Sequence, residues 1–437
     1  MQSREPTWTR QADQPDSSEQ SPADEGGPDA ARARMASDLR RHGHPLSGSV
    51  YTAFAHVPRH VFVPEMGSAA YRDEAFVIKC GPDGLPVSSS SQPAMMAIML
   101  DQLGLEPGHR VLEIGTGTGY NAAVMSEVVG PGGEVVTVDI DPELVARARS
   151  SLLAAGYDTV TVKCADGGYG DPQGAPFDRI IVTAGAWDIA PAWLGQLGSG
   201  GRLVLPLSIR GIQVSVGLQR AGEVWLSTSA WRCGFVRMLG AFAGPEEVIS
   251  LGEPWALAFQ VSDGCPVDTR AMRAALAADH AADEPASAAL ATVADVADLD
   301  LWLTMTADHL DRLTVVSAPG GWPRLAPVPP FGALLASATD ADELGIAILM
   351  PTDAGRPEPS AGWPGVVVRG LGPGGPDLSV DLAALSARWA DLGRPGSHDL
   401  GILVWPGSRV PEEPLDDWLV LERPSVTIAA GWPVSSP

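Results

Sequence analysis

The stretch Glu113-Ile114-Gly115-Thr116-Gly117-Thr118-Gly119-Tyr120 decides the fold. It follows the short apolar run Arg110-Val111-Leu112-Glu113-Ile114, which reads as a strand, and it opens Tyr120 to Val129, which reads as a helix. A glycine-rich turn between strand and helix belongs at the carboxyl end of the first strand of a doubly wound sheet, where ligands bind. Glycines there let the backbone approach a ligand, and the helix N-terminus offers free N–H groups. Working outward, Val135 to Asp139 reads as a second strand. Asp141-Pro142-Glu143 then supplies an N-cap, a first-turn proline and an acid for a helix that Gly156 is placed to end. Val160 to Val162 and Arg179 to Val182 read as strands, Pro191 to Leu197 as a helix, and Arg202 to Leu205 as a further strand. This alternation predicts an α/β fold, a doubly wound and mostly parallel sheet covered on both faces. Gln213 to Leu218 and Val224 to Met238, with no helix between them, predict an antiparallel pair closing one edge.

The glycine spacing narrows the ligand. A dinucleotide fold uses G-x-G-x-x-G to seat a pyrophosphate, whereas this turn is G-x-G-x-G with Glu113 two residues ahead of the first glycine. An acid there suits a ligand carrying an amino group or a cationic centre. Asp139 ends the second strand, the usual station for gripping ribose hydroxyls, and Asp166 ends the third, placed to accept from an adenine amine. Three acids at the ends of three successive strands point to S-adenosyl-L-methionine, which has an amino-acid tail, a sulfonium and no phosphate. The expected fold is therefore a class I, Rossmann-like methyltransferase. The expected cofactor group is Glu113, Gly115, Thr116, Gly117, Thr118, Gly119, Tyr120, Asp139, Ile140, Asp166 and Gly167.

The rest of the 437 residues sets limits. Residues 1–30 are acidic and nearly devoid of apolar side chains, and are expected to be a disordered tail. Met35 and Leu39 fit a short amphipathic helix ending near His42. Residues 31–243 form the expected catalytic domain and 244–437 a second, α+β domain, with helices near Asp268 to Ala282 and Leu378 to Trp389 and strands at Ile346 to Leu349 and Ile402 to Trp405. Eight tryptophans recur there (Trp255, Trp302, Trp322, Trp363, Trp389, Trp405, Trp418 and Trp432), as core residues or as a surface that meets a peptide. A net charge of −24 argues against a nucleic-acid or anionic-membrane partner. Cys80, Cys164, Cys233 and Cys265 form no C-x-x-C pair and read as inert thiols. His42 and His44 lack a third ligand nearby, so no metal is expected. With no signal peptide and no run of ~18 apolar residues to span a bilayer, a cytoplasmic location is expected.

From about Val57 to Leu239 the sequence resembles the protein-L-isoaspartate O-methyltransferase family. The matching pieces are Phe62-Val63-Pro64-Glu65, Ala70-Tyr71-Arg72-Asp73, the block from Val111 through the glycine turn to Val124, and Ala175 to Ala184, with Gln213 and Phe235-Val236 beyond. The family's substrate-side motif, G-x-G-Q-T-I-S-x-P, is altered here to Leu85-Pro86-Val87-Ser88-Ser89-Ser90-Ser91-Gln92-Pro93. The resemblance implies that Ser91 is the catalytic serine, in a functional loop, with Ser88, Ser89 and Ser90 beside the cofactor. It also implies methylation of a side-chain carboxylate of aspartate or isoaspartate in a peptide or protein, leading to a succinimide.

Three functions fit. The first is methylation of an aspartate in a ribosomally made modified precursor peptide, since long relatives with an extra C-terminal domain (lanthipeptide or graspetide type) look like this. The second is ordinary isoaspartate repair. The third is cofactor binding without catalysis.

Overall fold

A computed structural model describes residues 27–41, 46–82, 85–245, 247–250, 258–261, 268–277, 281–287, 290, 292–307, 311–317, 334–337, 344–351, 365–407, 415 and 417–433. The acidic segment 1–26, His42, His44, Cys265, Trp255, Trp322 and Trp363 lie outside the described residues. The chain divides into two compact units, Met1–Thr183 with Gln196–Gly201, and Ala184–Gly195 with Arg202–Pro437.

In the first unit α1 (Gly27–Arg41) takes residues 27–30 out of the expected tail. Pro28 and Asp29 in its first turn are helix-starting signals, and Met35, Ala36 and Leu39 form its buried face. Helices α2 (Gly48–His56) and α3 (Arg59–Phe62) and a 3₁₀ segment, Pro64–Tyr71, lead to a hairpin of β1 (Phe76–Cys80) and β2 (Pro86–Ser90). Ser90 pairs with Phe76 and Ser89 with Val77. The serine run expected as a loop is thus largely strand. Serine has little β preference of its own, but Phe76, Val77 and Ile78 supply a strand for it to pair with. The run then turns into α4 (Pro93–Leu103), with proline at its first position.

Next come β3 (Arg110–Ile114), α5 (Tyr120–Val129), β4 (Glu134–Asp139), α6 (Pro142–Ala155), β5 (Thr161–Cys164) and β6 (Phe177–Val182). The four strands are parallel in the order β6-β3-β4-β5. Val111, Leu112, Val135, Val136, Ile180 and Ile181 are all buried, as strands covered on both faces require. Register pairs Ile114 with both Val138 and Val182, and Asp139 with Cys164, so the carboxyl ends of all four strands share one edge. The order reverses beside β3, which makes its carboxyl end the switch point where such sheets bind ligands. The caps of α6 are as expected: Asp141 accepts from the Glu143 and Leu144 N–H groups, and Gly156 closes the helix at φ +84°.

The second unit holds α7 (Pro191–Gly195), which stops short of Leu197, and β7 (Leu197–Ile209) from Arg202 onward. β7 runs antiparallel to β8 (Ile212–Ala221), and β8 to β9 (Val224–Cys233). A separate sheet is formed by β10 (Glu247–Ser250), β11 (Ala258–Val261), β12 (Ala281–Pro285), β13 (Asp311–Ser317), β14 (Leu334–Ser337), β15 (Gly345–Pro351) and β16 (Val366–Leu371). Helices α8 (Thr269–Ala277), α9 (Val293–Thr306) and α10 (Gly375–Asp391) accompany it. The helix expected to Ala282 ends at Ala277, because residues 281–285 pair with β16 and Arg369 binds the Asp283 carboxylate through two 2.7 Å hydrogen bonds. The last strands, β17 (Gly401–Pro406), β18 (Leu419–Glu422) and β19 (Val426–Gly431), rejoin β9, with Leu403 opposite Leu226 and Val404 opposite Trp225. They cover what would otherwise be an open strand edge. For this reason the units do not divide at the boundary expected after Ala243.

Trp302 and Trp389 are buried with Leu299, Leu303, Val368 and Leu382, and Trp432 packs against the same cluster. The indole N–H groups of Trp389 and Trp432 donate to the Pro395 and Gly396 carbonyls, so these three rings serve the core. Cys233 is buried and its thiol is pushed up to about 12 by burial, whereas Cys80 and Cys164 are exposed rather than buried. Among the described residues no helix is long and apolar enough to cross a membrane, and no His, Cys, Asp and Glu cluster could hold a metal ion.

Candidate active site

The turn after β3 is built on glycines in conformations other residues avoid. Gly115 has φ +100°, and a Cβ on it would lie 2.5 Å from Thr183 Oγ1 at the end of β6. Thr183 Oγ1 donates to the Ile114 and Gly115 carbonyls, fastening the turn to the neighbouring strand. Gly117 has φ +52°, and a Cβ there would lie 3.4 Å from the Ser89 carbonyl oxygen and 3.9 Å from Ser88 Oγ. The serine strand β2 therefore runs directly beside the glycine turn. Lys79 of β1 holds the hairpin in place, its Nζ donating to Asp141 (2.6 Å) and Glu143 (2.5 Å) at the start of α6.

The acids divide into two kinds. Asp139 is half-buried at the open edge and accepts from the Gly117 N–H (Oδ2, 3.0 Å) and the Asp141 N–H (Oδ1, 3.0 Å). Burial raises its carboxyl above the ordinary value, against the lowering effect of those N–H donors. With a further backbone N–H from Thr116, the carboxylate retains acceptor capacity for a hydroxyl. Asp166 is also half-buried and accepts from the Gly168 N–H at 2.9 Å. Ile140, 42% exposed, adds an apolar surface beside Asp139.

Glu113 differs. It is 0% exposed, Oε1 accepts from Asn121 Nδ2 (2.7 Å), and Oε2 accepts from Thr137 Oγ1 (2.6 Å), which lies 2.8 Å from Thr116 Oγ1. Burial pushes its carboxyl up to about 7, opposed by the donors Thr137 and Asn121. Its expected direct contact with a ligand is corrected to an internal one: it braces the turn through Asn121, Thr137 and Thr116. Tyr120 is corrected likewise. Only 1% exposed, its ring packs against Phe54 and Phe62, and burial raises its hydroxyl. Gly167 is buried against Ile114, where a Cβ would collide with Ile114 Cγ2. Thr116 and Thr118 are buried within the turn, and Gly119 caps α5.

On the other side of the turn, Ser88 and Ser90 are buried while Ser89 and Ser91 are half-buried. The Ser91 carbonyl accepts from Arg59 Nη2 at 2.9 Å. Downstream, the Ala94 N–H donates to Asp73 Oδ1 (2.8 Å) and Gln92 Nε2 to Asp73 Oδ2 (3.0 Å). Sequence reasoning assigned no role to Arg59, Asn121, Thr137 or Thr183. Arg59 leaves one trace, a lone charge inside the apolar stretch Val57 to Val63.

The family model for protein-L-isoaspartate(D-aspartate) O-methyltransferase matches residues 30–241. The protein-L-isoaspartate O-methyltransferase of Methanopyrus kandleri is 42% identical over 229 residues, covering 49% of this chain and 95% of that protein. The chain belongs to this family. Protein-L-isoaspartate O-methyltransferase 2 of Archaeoglobus fulgidus is 46% identical over 179 residues, 41% of this chain and 79% of that one. Family membership makes the first unit's parallel core a class I methyltransferase fold and the chain an O-methyltransferase. The relatives' names fit the isoaspartate reading better than the modified-peptide one. The match stops before residue 242.

Proposed function

We propose that this chain methylates the free α-carboxylate of isoaspartyl residues in proteins, in the cytoplasm, as a repair enzyme. The observation that carries this reading is the juxtaposition of an acid-edged glycine turn with a serine strand that ends at Ser90, next to Ser91. The cradle suits S-adenosylmethionine: Gly115, pressed against Thr183, and Gly117, beside the serine strand, hold the turn at positive φ with its backbone bare of side chains, and the polar groups at the edge are backbone N–H donors and carboxylate acceptors. Asp139 would hold the ribose hydroxyls and Asp166 the adenine amine, with Ile140 against the ring and Ser88, Ser89 and Ser90 closing the other side. When bound, S-adenosylmethionine supplies an electrophilic methyl on a sulfonium.

The chain has little proton chemistry to do. A carboxylate with an ordinary pKa of about 3.9 is already ionised at neutral pH, so no general base is needed. The Ser91 O–H donates to one carboxylate oxygen and leaves the other in line, one part of an alignment of nucleophile, methyl and sulfur that as a whole can reach ~7–11 kcal/mol. Methylation turns a poor leaving group, the oxygen of a carboxylate, into methoxide. The next backbone nitrogen can then attack the ester carbonyl and expel methanol, closing a succinimide whose hydrolysis returns part of the isoaspartate to aspartate.

A second reading, methylation of an aspartate in a modified peptide, rests on Ser88-Ser89-Ser90 standing where the family motif has Gln-Thr-Ile, and on residues 244–437 as a substrate-selecting addition to a catalytic region 31–243. Cofactor binding without catalysis has no observation in its favour. Ser91→Ala tests the assignment: turnover on an isoaspartyl peptide should fall while S-adenosylhomocysteine affinity, measured by calorimetry, stays unchanged. Wild-type turnover in Ser91→Ala would remove Ser91 from the chemistry.

A further inference from the structure

Arg59 is 0% exposed, yet its short hydrogen bonds go to main-chain carbonyls rather than to a carboxylate. Nη1 donates to the Ala70 and Arg72 carbonyls, both at 2.9 Å. Nη2 donates to Glu74 (3.0 Å) and Ser91 (2.9 Å), with Ser90 Oγ at 3.5 Å, and Nε has no partner. The guanidinium lies over the Phe76 ring (4.9 Å) and the Tyr120 ring (5.7 Å). Burying a cation without a carboxylate partner is unfavourable, and burial lowers its pKa accordingly. Such an arrangement secures geometry more than it secures stability. A planar fork fixes the angles between the carbonyls it binds, which an ammonium cannot do.

The carbonyls it binds are selected. Three belong to the segment 70–74, which carries Asp73, and the fourth belongs to Ser91. Asp73 in turn holds the Gln92 side chain and the Ala94 N–H, at the first turn of α4. The bonds form a closed circuit, from Arg59 to segment 70–74, through Asp73 to residues 92–94, and back through Ser91 to Arg59. Ser91 is gripped at its own carbonyl on one side and within three residues on the other.

We propose that Arg59 and Asp73 are positioning residues that set the Ser91 hydroxyl for the substrate carboxylate. The inference rests on the assignment of Ser91 made above. Neither residue touches substrate. Arg59 fixes the backbone at Ser91 and the segment that carries Asp73, and Asp73 fixes where α4 begins. A misplacement near 1 Å in such a site can lower turnover by about 100-fold.

The test uses the full chain, an isoaspartyl peptide and four variants: Asp73→Ala, Arg59→Lys, Ser91→Ala and the double variant Asp73→Ala/Ser91→Ala. Asp73 is exposed, so its replacement leaves a folded protein even if Arg59→Lys does not. Asp73→Ala should lower kcat by about 10- to 100-fold, with peptide KM and S-adenosylhomocysteine affinity held within about twofold. Hydrogen exchange of residues 88–94 should speed up in the same variant. In the Ser91→Ala background the Asp73 change should remove less than about a further twofold, because the group being positioned is already gone. If Ser91→Ala is slow and Asp73→Ala is fully active, or if their losses multiply, the positioning role is overturned while Ser91 keeps its own. If Ser91→Ala is fully active, the assignment of Ser91 falls and the inference falls with it.

Discussion

Glu113 makes the folded protein less stable as the pH rises, and Glu113→Gln should remove that dependence. Its carboxyl is raised from 4.5 to about 7 by complete burial. In the unfolded chain it ionises near the lower value, and in the folded protein near the higher one. The folded state therefore binds the extra proton between them, and stability falls with rising pH across that window. The contribution is intact below about 4.5, declines until the pH passes about 7, and is level beyond. Between about pH 5 and about pH 8 the loss is on the order of 2 to 3 kcal/mol. Glutamine has the same shape, keeps an acceptor for Asn121 Nδ2, and can donate to Thr137 Oγ1, whose hydroxyl turns to Thr116 Oγ1. Urea unfolding of both proteins, followed by circular dichroism at a series of pH values, gives the difference with every other titrating group cancelled. Glu113→Gln should gain on the wild type steadily from about pH 5 to about pH 8. A difference that is the same at every pH would show that Glu113 titrates alike in both states and would refute the reasoning.

Other consequences can be measured at the same site. Asp139→Ala removes a charge-assisted acceptor, and S-adenosylhomocysteine affinity by calorimetry should fall by ~1.5–3 kcal/mol, roughly 10- to 150-fold. Gly117→Val places a side chain at φ +52° against the Ser89 carbonyl, and cofactor binding should be lost. Gly195→Ala, with nothing within 4 Å of the new Cβ, should bind normally. Truncation before Gly401 uncovers β9 and leaves Ser227 Oγ without the Ile402 N–H that now donates to it at 2.8 Å. A lower melting temperature with light scattering from associated protein is expected.

The parts of the site legible in the sequence were those whose signals are local. The glycine turn, Asp139, Asp166 and the caps of α6 are each specified by residues next to one another, and parallel register then brought the strand ends to one edge. What stayed hidden depends on partners far along the chain. Ser88 to Ser90 become strand because β1, nine to fourteen residues earlier, pairs with them. Residues 281–285 leave a helical pattern for β16, more than eighty residues on. Glu113 looked like a ligand contact because its burial is set by Thr137 on a different strand. Arg59 binds main-chain carbonyls, which every residue possesses, so no side-chain pattern marks its partners.

The central claim is tested most directly by transfer of tritiated methyl from S-adenosylmethionine to three peptides, scored as base-labile label. One is a linear isoaspartyl peptide, one the same sequence with ordinary aspartate, and one an aspartyl peptide closed into a macrocycle. Isoaspartate repair predicts label on the isoaspartyl peptide and background on both aspartyl peptides. Label on the macrocycle with background on the isoaspartyl peptide would contradict it and transfer the function to modified peptides.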